Sequence, residues 1–357
     1  MQKIKGLDGL RGISVLLVIC SHAMIFERLG WKDPIFRKLV SAENGVSIFF
    51  VLSGFLITLL LLREQRQTGS INLVNFYARR TLRIFPLYLL AITLVLLLDT
   101  LSLVSVRACT FRYAYTYLFN FVPKTCNFGP FSHLWSLAVE EHFYILWPFV
   151  FLLGPRVAIA LLASFIAAVL AWDTSLWTAY ASTHHINRWT FPAAAPIAYG
   201  CLAAYVAASP VCSARLQRWP VPMMLLAAAL AGIAGHIAGG WPRLYFLAGV
   251  AMLVLFLHFN QRSLLVRALE FRPLAYIGLI SYGLYIWQGI FTGNGPYRAS
   301  PYFPPPIDYG LILTAIAAPL SYAWFEKPIM RLKRRFRSEG DDSQPRQAAE
   351  PASAKST

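Results

Sequence analysis

The chain has few charged residues and few cysteines, and both shortages exclude broad classes of protein. Only 13% of its 357 residues are charged, about half the roughly 25% of a soluble domain. A chain that is 57% apolar, with a mean hydropathy of +0.54, is neither disordered nor able to stay in solution as two globules. Five cysteines are too few for a disulfide scaffold. This composition predicts a membrane protein.

Acidic residues are scarce as well, since 16 Asp and Glu stand against 32 Lys and Arg and leave a net charge of +16. On a soluble chain that excess would suggest a nucleic-acid partner. The sequence has no Walker or Rossmann glycine pattern and no internal repeat. A standard nucleotide-binding fold is therefore not indicated, and the meaning of the charge depends on where the basic residues lie.

Apolar stretches long enough to cross a bilayer recur along most of the chain. A bilayer core of about 30 Å needs roughly 20 apolar helical residues. The ten predicted spans are 7–26, 45–62, 84–103, 133–153, 157–172, 189–208, 222–240, 243–259, 273–291 and 307–326. They predict an all-α, polytopic membrane domain over 1–330, followed by a polar, disordered cytoplasmic tail over 338–357.

The basic residues predict the orientation of these spans. If the N-terminus is inside, 22 of the Lys and Arg fall in inner segments and 10 in outer loops. Because cytoplasmic loops carry an excess of Lys and Arg, both termini are expected inside. The basic excess then reports mostly topology and contact with anionic lipid, and nucleic acid is not expected as a partner.

Two of the cysteines fall in one predicted outer loop, about 99–132. Cys109 and Cys126 can pair there if the loop faces an oxidising compartment. A disulfide and two free thiols both remain open at this point.

Arg11 and His22 lie in the first predicted span, where ionisable side chains are costly and point to function. At about 100° per residue they share one helix face to within roughly 20°, and they are about 16 Å apart along the axis. One face thus carries a cation and, about three turns deeper, an imidazole. The alternative is a snorkelling arginine and a packed histidine.

The fourth span contains two adjacent carboxylates, Glu140 and Glu141, in a membrane helix. His133, Glu140 and Tyr144 share one of its faces. At least one carboxylate should face the protein interior, because adjacent side chains point about 100° apart. The alternatives are a glutamate neutralised by an arginine and a glutamate that fixes the tautomer of a catalytic histidine.

Arginines gather before the third span, where Arg80 and Arg83 lie three residues apart and Arg79 precedes them. A helix here would collect their guanidiniums at the membrane surface, which suits a polyphosphate ligand. The alternative is simple positive-inside anchoring. In the ninth span, Tyr285 and Gln288 share a face, and polar residues there often only link neighbouring helices.

Six segments in this order resemble the acyltransferase family 3 membrane proteins. They are GLDGLRG at 6–12 with His22, GVSIFFVLSGFLI at 45–57, FYARRTLRIFP at 76–86, HLWSLAVEEHFY at 133–144, SYGLYIW at 281–287 and SYAWFEKP at 321–328. Each segment alone is weakly diagnostic, whereas the six in order are highly specific and cover nearly the whole chain outside the tail.

The resemblance implies transfer of an acyl group, commonly acetyl, from cytoplasmic acyl-CoA to a sugar on the far side of a bacterial inner membrane. The family's functional elements fall on Arg11 with His22, Arg80 with Arg83, and Glu140 with Glu141. This chain departs from many members at His142, where they have Gln, and at Gln288, where they have His. Some relatives carry an appended esterase-like domain. None is expected here, so any second transfer step would need a partner protein of glycan biosynthesis.

The residues and the resemblance together predict an O-acetyltransferase with acetyl-CoA as donor and an exported saccharide, such as exopolysaccharide or O-antigen, as acceptor. Arg80 and Arg83 would lie near the donor phosphates, and the pantetheine arm would pass Arg11. His22 would accept the proton of the attacking hydroxyl, with Glu140, or else Glu141, as its orienting partner. No metal is expected. The candidate residues lining the site are Ser53, His133, Tyr144, Tyr285 and Gln288.

Two other classes compete with the enzyme. A transporter or flippase of saccharide or lipid-linked intermediates also fits ten spans with buried Glu and His, although such proteins often show repeats and none is found. A membrane scaffold would not explain Arg11, His22 and Glu140 within spans. Binding of acyl-CoA separates the enzyme from both.

Overall fold

The computed structural model describes residues 4–126, 129–172, 178–292, 305–332 and 336, and in these ranges the chain is helical without any strand. A single isolated bridge joins Pro123 to His184. The predicted all-α class is therefore confirmed. The predicted tail over 338–357 lies outside the described residues.

Each of the ten predicted stretches contains a helix. Within the described ranges, the helices of the membrane region are α1 Leu7–His22, α2 Ala42–Thr68, α3 Leu73–Thr100, α4 Trp135–Leu152, α5 Pro155–Leu170, α6 Ala195–Ala208, α7 Val221–Ile237, α8 Arg243–Phe259, α9 Arg272–Leu279, α10 Ser281–Phe291 and α11 Ile307–Ser321. Short helices lie between and after them at Ile25–Arg28, Pro34–Leu39, Ala108–Tyr115, Phe119–Phe121, Lys124–Cys126, Ser132–Leu134, Thr178–Thr183, Ile186–Arg188, Thr190–Ala193, Pro210–Leu216, Leu264–Leu269, Tyr322–Glu326 and Lys327–Arg331.

Several of these helices have the length and composition of membrane spans. Three helical stretches among the described residues meet both criteria: Pro34–Thr68, which contains α2, Leu73–Thr100, which is α3, and Ile307–Arg331, which begins with α11. Two bent pairs would raise the number to five. The shorter apolar helices α5, α7 and α8 complete a helical membrane protein. The count of ten crossings and the orientation of the termini stay predictions.

The ninth predicted stretch, 273–291, is not one straight helix, because α9 and α10 meet at an angle of 70°. Close packing against α1 accounts for the break. A Cβ on Gly278 would lie 1.7 Å from the carbonyl oxygen of Asp8, so the α9 backbone rests directly on α1. The chain then turns at Ile280 and sends α10 toward the functional site.

The third helix begins well before the predicted start of its span. The side chain of Asn72 accepts a hydrogen bond from the backbone N–H of Asn75 at 2.9 Å, which caps the new helix. As a result Arg79, Arg80 and Arg83 all lie on α3 itself, on consecutive turns of one helix.

The second helix forms the centre of the protein. In the stretch Pro34–Thr68, which contains α2, 72% of the most apolar 18-residue segment is buried inside the protein. The corresponding figure for Ile307–Arg331 is 17%. Gly54 of α2 and Gly200 of α6 let the two backbones cross: a Cβ on either would lie 2.0 Å from a carbonyl oxygen of the other helix. Such small-residue crossings are typical of membrane helix pairs.

Cys109 and Cys126 form a disulfide, with their Cα atoms 5.8 Å apart. The bridge joins the short helices Ala108–Tyr115 and Lys124–Cys126. A hydrogen bond of 2.8 Å from the Thr110 hydroxyl to the Cys126 carbonyl lies beside it. The disulfide and the hydrogen bond together join two parts of the long connection between α3 and α4.

Candidate functional site

Two cavities lie side by side within the helices. The first, of about 430 Å³, is lined by four arginines from α1 and α3 and is called the arginine cavity. The second, of about 660 Å³, is lined by His22 and His133 and is called the histidine cavity. Val46, Phe50 and Tyr285 line both, so a thin wall of three side chains separates them.

The arginine cavity brings together the three arginines that the sequence singles out. Arg11, Arg80 and Arg83 all line it, and Arg79 is a fourth. Arg79 is neutralised by Glu64 at 2.9 Å. Among the described residues Arg80 and Arg83 have no carboxylate within 4.0 Å. The cavity therefore holds positive charge that its own walls do not fully balance.

Tyr144 organises one wall of the arginine cavity. Its hydroxyl donates a 2.6 Å hydrogen bond to Glu140 and also contacts the Ser53 hydroxyl. The guanidinium of Arg80 lies over its ring, 4.5 Å from the centroid, a cation–π arrangement. Ser53, Glu140 and Tyr144, three of the predicted site residues, thus act together to hold Arg80.

His22, the last residue of α1, lies in the histidine cavity. Its Nδ1 is 3.0 Å from Oε1 of Gln288 on α10. The Nε2 amide of Gln288 donates to the backbone carbonyl of Tyr285 at 3.2 Å, which turns Oε1 toward the histidine. Since Oε1 can only accept, Nδ1 of His22 carries the proton in this arrangement, and Nε2 keeps its lone pair.

The structure does not bring Glu140, the predicted orienting partner, to His22. Among the described residues Glu140 hydrogen-bonds only to Tyr144 and lies on the arginine cavity, whereas the imidazole bonds to Gln288. Glu141 lines neither cavity; it is buried, and its Oε1 has no hydrogen-bond partner among the described residues. The carboxylates and the histidine therefore belong to different parts of the site.

His133 faces the histidine cavity from the short helix Ser132–Leu134. Its side chain is only 2% exposed, and its one polar contact among the described residues is with the backbone of Pro130, short of good hydrogen-bond geometry. Gly289 makes room for the ring, because a Cβ there would lie 1.9 Å from its Nδ1. A buried imidazole with incomplete hydrogen bonding is costly, so the ring is placed to serve a polar group in this cavity.

Tyr285 is the polar member of the wall between the cavities. Its hydroxyl is 2.6 Å from the Ser136 hydroxyl and 3.0 Å from the His133 carbonyl oxygen. Ser136 lines the arginine cavity, whereas His133 lines the histidine cavity. These bonds fix the ring where any group passing between the two cavities would meet it.

Two residues at the histidine cavity have positions that the sequence does not predict. Gln288 was a candidate lining residue, but nothing in the sequence connects it with His22, which is 266 positions away. Arg188 counted only toward topology, yet it lines the histidine cavity and lies over the ring of Trp135 at 5.6 Å. Its only local signal is its place just before an apolar span.

Fold and site together define a helical membrane protein with a basic cavity and a histidine cavity that share a wall. Residues 4–325 match the family model described as an acyltransferase domain. The chain belongs to this acyltransferase family, which confirms the resemblance that the six motifs indicate. No solved structure matches the chain.

The chain is also similar to curated proteins from two bacteria. The peptidoglycan O-acetyltransferase OatA of Listeria monocytogenes is 27% identical over 361 residues, which cover 92% of this chain and 56% of that protein. The O-acetyltransferase OatA of Staphylococcus aureus is 27% identical over 373 residues, covering 92% and 57%. The chain thus spans just over half the length of these relatives.

Proposed function

We propose that this protein is a membrane O-acetyltransferase that moves an acetyl group from acetyl-CoA to a hydroxyl of a cell-surface saccharide. One observation carries the proposal: the unbroken helix α1 places Arg11 in the arginine cavity and His22 in the histidine cavity. The family membership and the relatives named as O-acetyltransferases support it.

The arginine cavity suits the donor. Acetyl-CoA carries several phosphate charges and a long, thin pantetheine arm that ends in the thioester. Arg80 and Arg83 offer guanidiniums that the described carboxylates do not neutralise, and guanidiniums bind phosphate bidentately. The helical separation of about 16 Å between Arg11 and His22 is of the order of the pantetheine arm. The thioester would then meet His22 past the shared wall.

The histidine cavity suits the acceptor and the base. With Nδ1–H held by Gln288, the lone pair on Nε2 of His22 is available to accept a proton. Trp135 and Tyr199 add aromatic surface to the same cavity, which fits the apolar faces of a sugar ring.

The proposed chemical step transfers the acetyl group directly from the thioester to the acceptor hydroxyl. The acceptor hydroxyl oxygen attacks the thioester carbonyl carbon while its proton passes to Nε2 of His22. A C–O ester bond forms, the C–S bond breaks, and the proton passes from the imidazolium to the leaving thiolate. Gln288 would stabilise the transient imidazolium by accepting from Nδ1–H throughout.

Replacement of His22 tests this assignment. His22→Ala removes the base, so ester formation from labelled acetyl-CoA should fall by about 10²- to 10⁴-fold. Gln288→Leu removes only the orienting acceptor, so we expect a smaller loss in kcat, with little change in KM for acetyl-CoA. Gln67→Leu, on the exposed end of α2, is the matched control.

The variants are compared as purified protein in detergent, with thermal unfolding as the check on folding. Wild-type activity in a stably folded His22→Ala protein would remove His22 from the chemistry. Movement of the saccharide across vesicles without any ester formed would favour a transporter and overturn the proposed function.

A further inference from the structure

We infer that the acceptor bound in the histidine cavity is an anionic saccharide, and that Arg188 binds its carboxylate. This inference rests on the proposed function and adds to it the chemical class of the acceptor. It is carried by the position of Arg188, by the charge of the cavity around it, and by the incompletely hydrogen-bonded His133 on the same cavity.

Arg188 is held in place by its surroundings. It ends the short helix Ile186–Arg188, whose first residue is buried and anchors the turn. Its guanidinium lies 5.6 Å from the centroid of the Trp135 ring. A cation–π contact of this kind holds the guanidinium in place without neutralising its charge. Arg188 is therefore a positioned cation on the cavity wall.

The charges in the histidine cavity do not balance. Its second arginine, Arg243, is paired with Glu43, which lines the same cavity. Arg188 has no carboxylate within 4.0 Å among the residues that the structure describes. His22 and His133 bring no negative charge. One arginine charge is thus left for a ligand, and a carboxylate is the group that an arginine fork matches best.

His133 gives an independent indication that the ligand is polar. Its imidazole is buried and lines the cavity, and at most one ring nitrogen is served by the described residues, through a contact with the Pro130 backbone. Saccharide hydroxyls can both donate and accept, so they can satisfy either tautomer of the ring. The cavity of about 660 Å³ is within the usual range for a small-molecule site.

Arg188 is not placed to bind the phosphates of the donor. In the proposed function these phosphates bind in the arginine cavity. That cavity lies on the other side of the wall formed by Val46, Phe50 and Tyr285. The alternative role for Arg188 is to stabilise the oxyanion of the reacting thioester. That role would affect every acceptor equally, so the two can be distinguished.

The test uses membranes that contain the full chain, labelled acetyl-CoA, and the saccharide pool of the producing cell. Half of the pool is left native, and half has its carboxyl groups converted to neutral carboxamides, which keep nearly the same size. We expect the wild-type protein to label the native pool at least about tenfold more than the amidated pool, because loss of one member of a buried charge pair is costly.

Variants at the arginine decide the role of the side chain. Arg188→Gln should lower labelling of the native pool to the level of the amidated pool, while Arg188→Lys keeps part of the preference. Arg112→Gln removes an exposed cation that does not line either cavity and should leave the preference unchanged. It controls for the general charge of the protein.

Three outcomes would overturn the inference. Equal labelling of both pools by the wild-type protein would show that the carboxylate is not recognised. An equal loss on both pools in Arg188→Gln would assign Arg188 to the chemistry and not to the acceptor. If neither pool is labelled, the proposed function is overturned as well, whereas the first two results leave it standing.

Discussion

Arg80 and Arg83 are the residues on which the proposed donor site depends. Both line the arginine cavity without a carboxylate within 4.0 Å among the described residues, whereas Arg79 beside them is neutralised by Glu64. Sequence periodicity places all three on one helix but does not tell which of them are free to bind a ligand. The pairing with Glu64, from another helix, decides that.

Arg83→Gln should weaken donor binding without changing the chemical step. Loss of one charge-assisted hydrogen bond costs about 1.5–3 kcal/mol, so KM for acetyl-CoA should rise by about 10- to 100-fold with kcat nearly constant. Steady-state kinetics at saturating acceptor measure both constants. Arg262→Gln, which removes an exposed arginine outside the cavity, is the control. A fall in kcat with an unchanged KM would contradict the assignment.

The partner of His22 shows where residue-level prediction stops. The face shared by Arg11 and His22 follows from helix geometry alone, and the structure places one in each cavity as that geometry requires. The structure places Glu140 with Tyr144, one turn away on α4, and not with His22. Gln288 comes from a different helix, and no spacing rule relates positions on helices that meet only through tertiary packing.

Among the elements, the crossing of α2 and α6 holds the site together. Gly54 and Gly200 bring the two backbones into contact, and α2 supplies Val46, Phe50 and Ser53 to the cavities. A separation of these helices would move one side of both cavities. The stability of the crossing is therefore also a condition for activity.

Gly200→Ala should destabilise the protein at this crossing. The new Cβ would lie 2.0 Å from the carbonyl oxygen of Val51, so the backbones must separate, at a cost of about 1–3 kcal/mol. Thermal unfolding in detergent should show a lower Tm than for Gly240→Ala, where a Cβ meets no atom closer than 3.9 Å. Equal Tm values for the two variants would show that the helices do not cross so closely.

Hydropathy locates the helices well and describes their shape poorly. All ten predicted stretches contain a helix, because burial in lipid or protein requires apolar side chains. The bend between α9 and α10 is not visible in hydropathy, since both halves are apolar. It follows from the contact of Gly278 with Asp8, which joins the second half of the chain to the first helix.

At the scale of the whole molecule, the two cavities divide the proposed reaction between two sites. The arginine cavity would hold the donor phosphates and the histidine cavity would hold the acceptor. The acetyl group would pass between them at the wall that contains Tyr285. The distribution of basic residues predicts that the arginine cavity faces the cytoplasm. In this arrangement the enzyme would transfer acetyl groups across the membrane without moving either substrate through it.

Transfer across a sealed membrane tests this account most directly. The protein is reconstituted in sealed vesicles that enclose the saccharide acceptor. Labelled acetyl-CoA is added outside, where it reaches the molecules whose Arg80 and Arg83 face outward. We expect labelled ester on the enclosed acceptor from the wild-type protein and none from His22→Ala. Ester formed only when both substrates are on the same side would contradict the assignment of donor and acceptor to separate cavities.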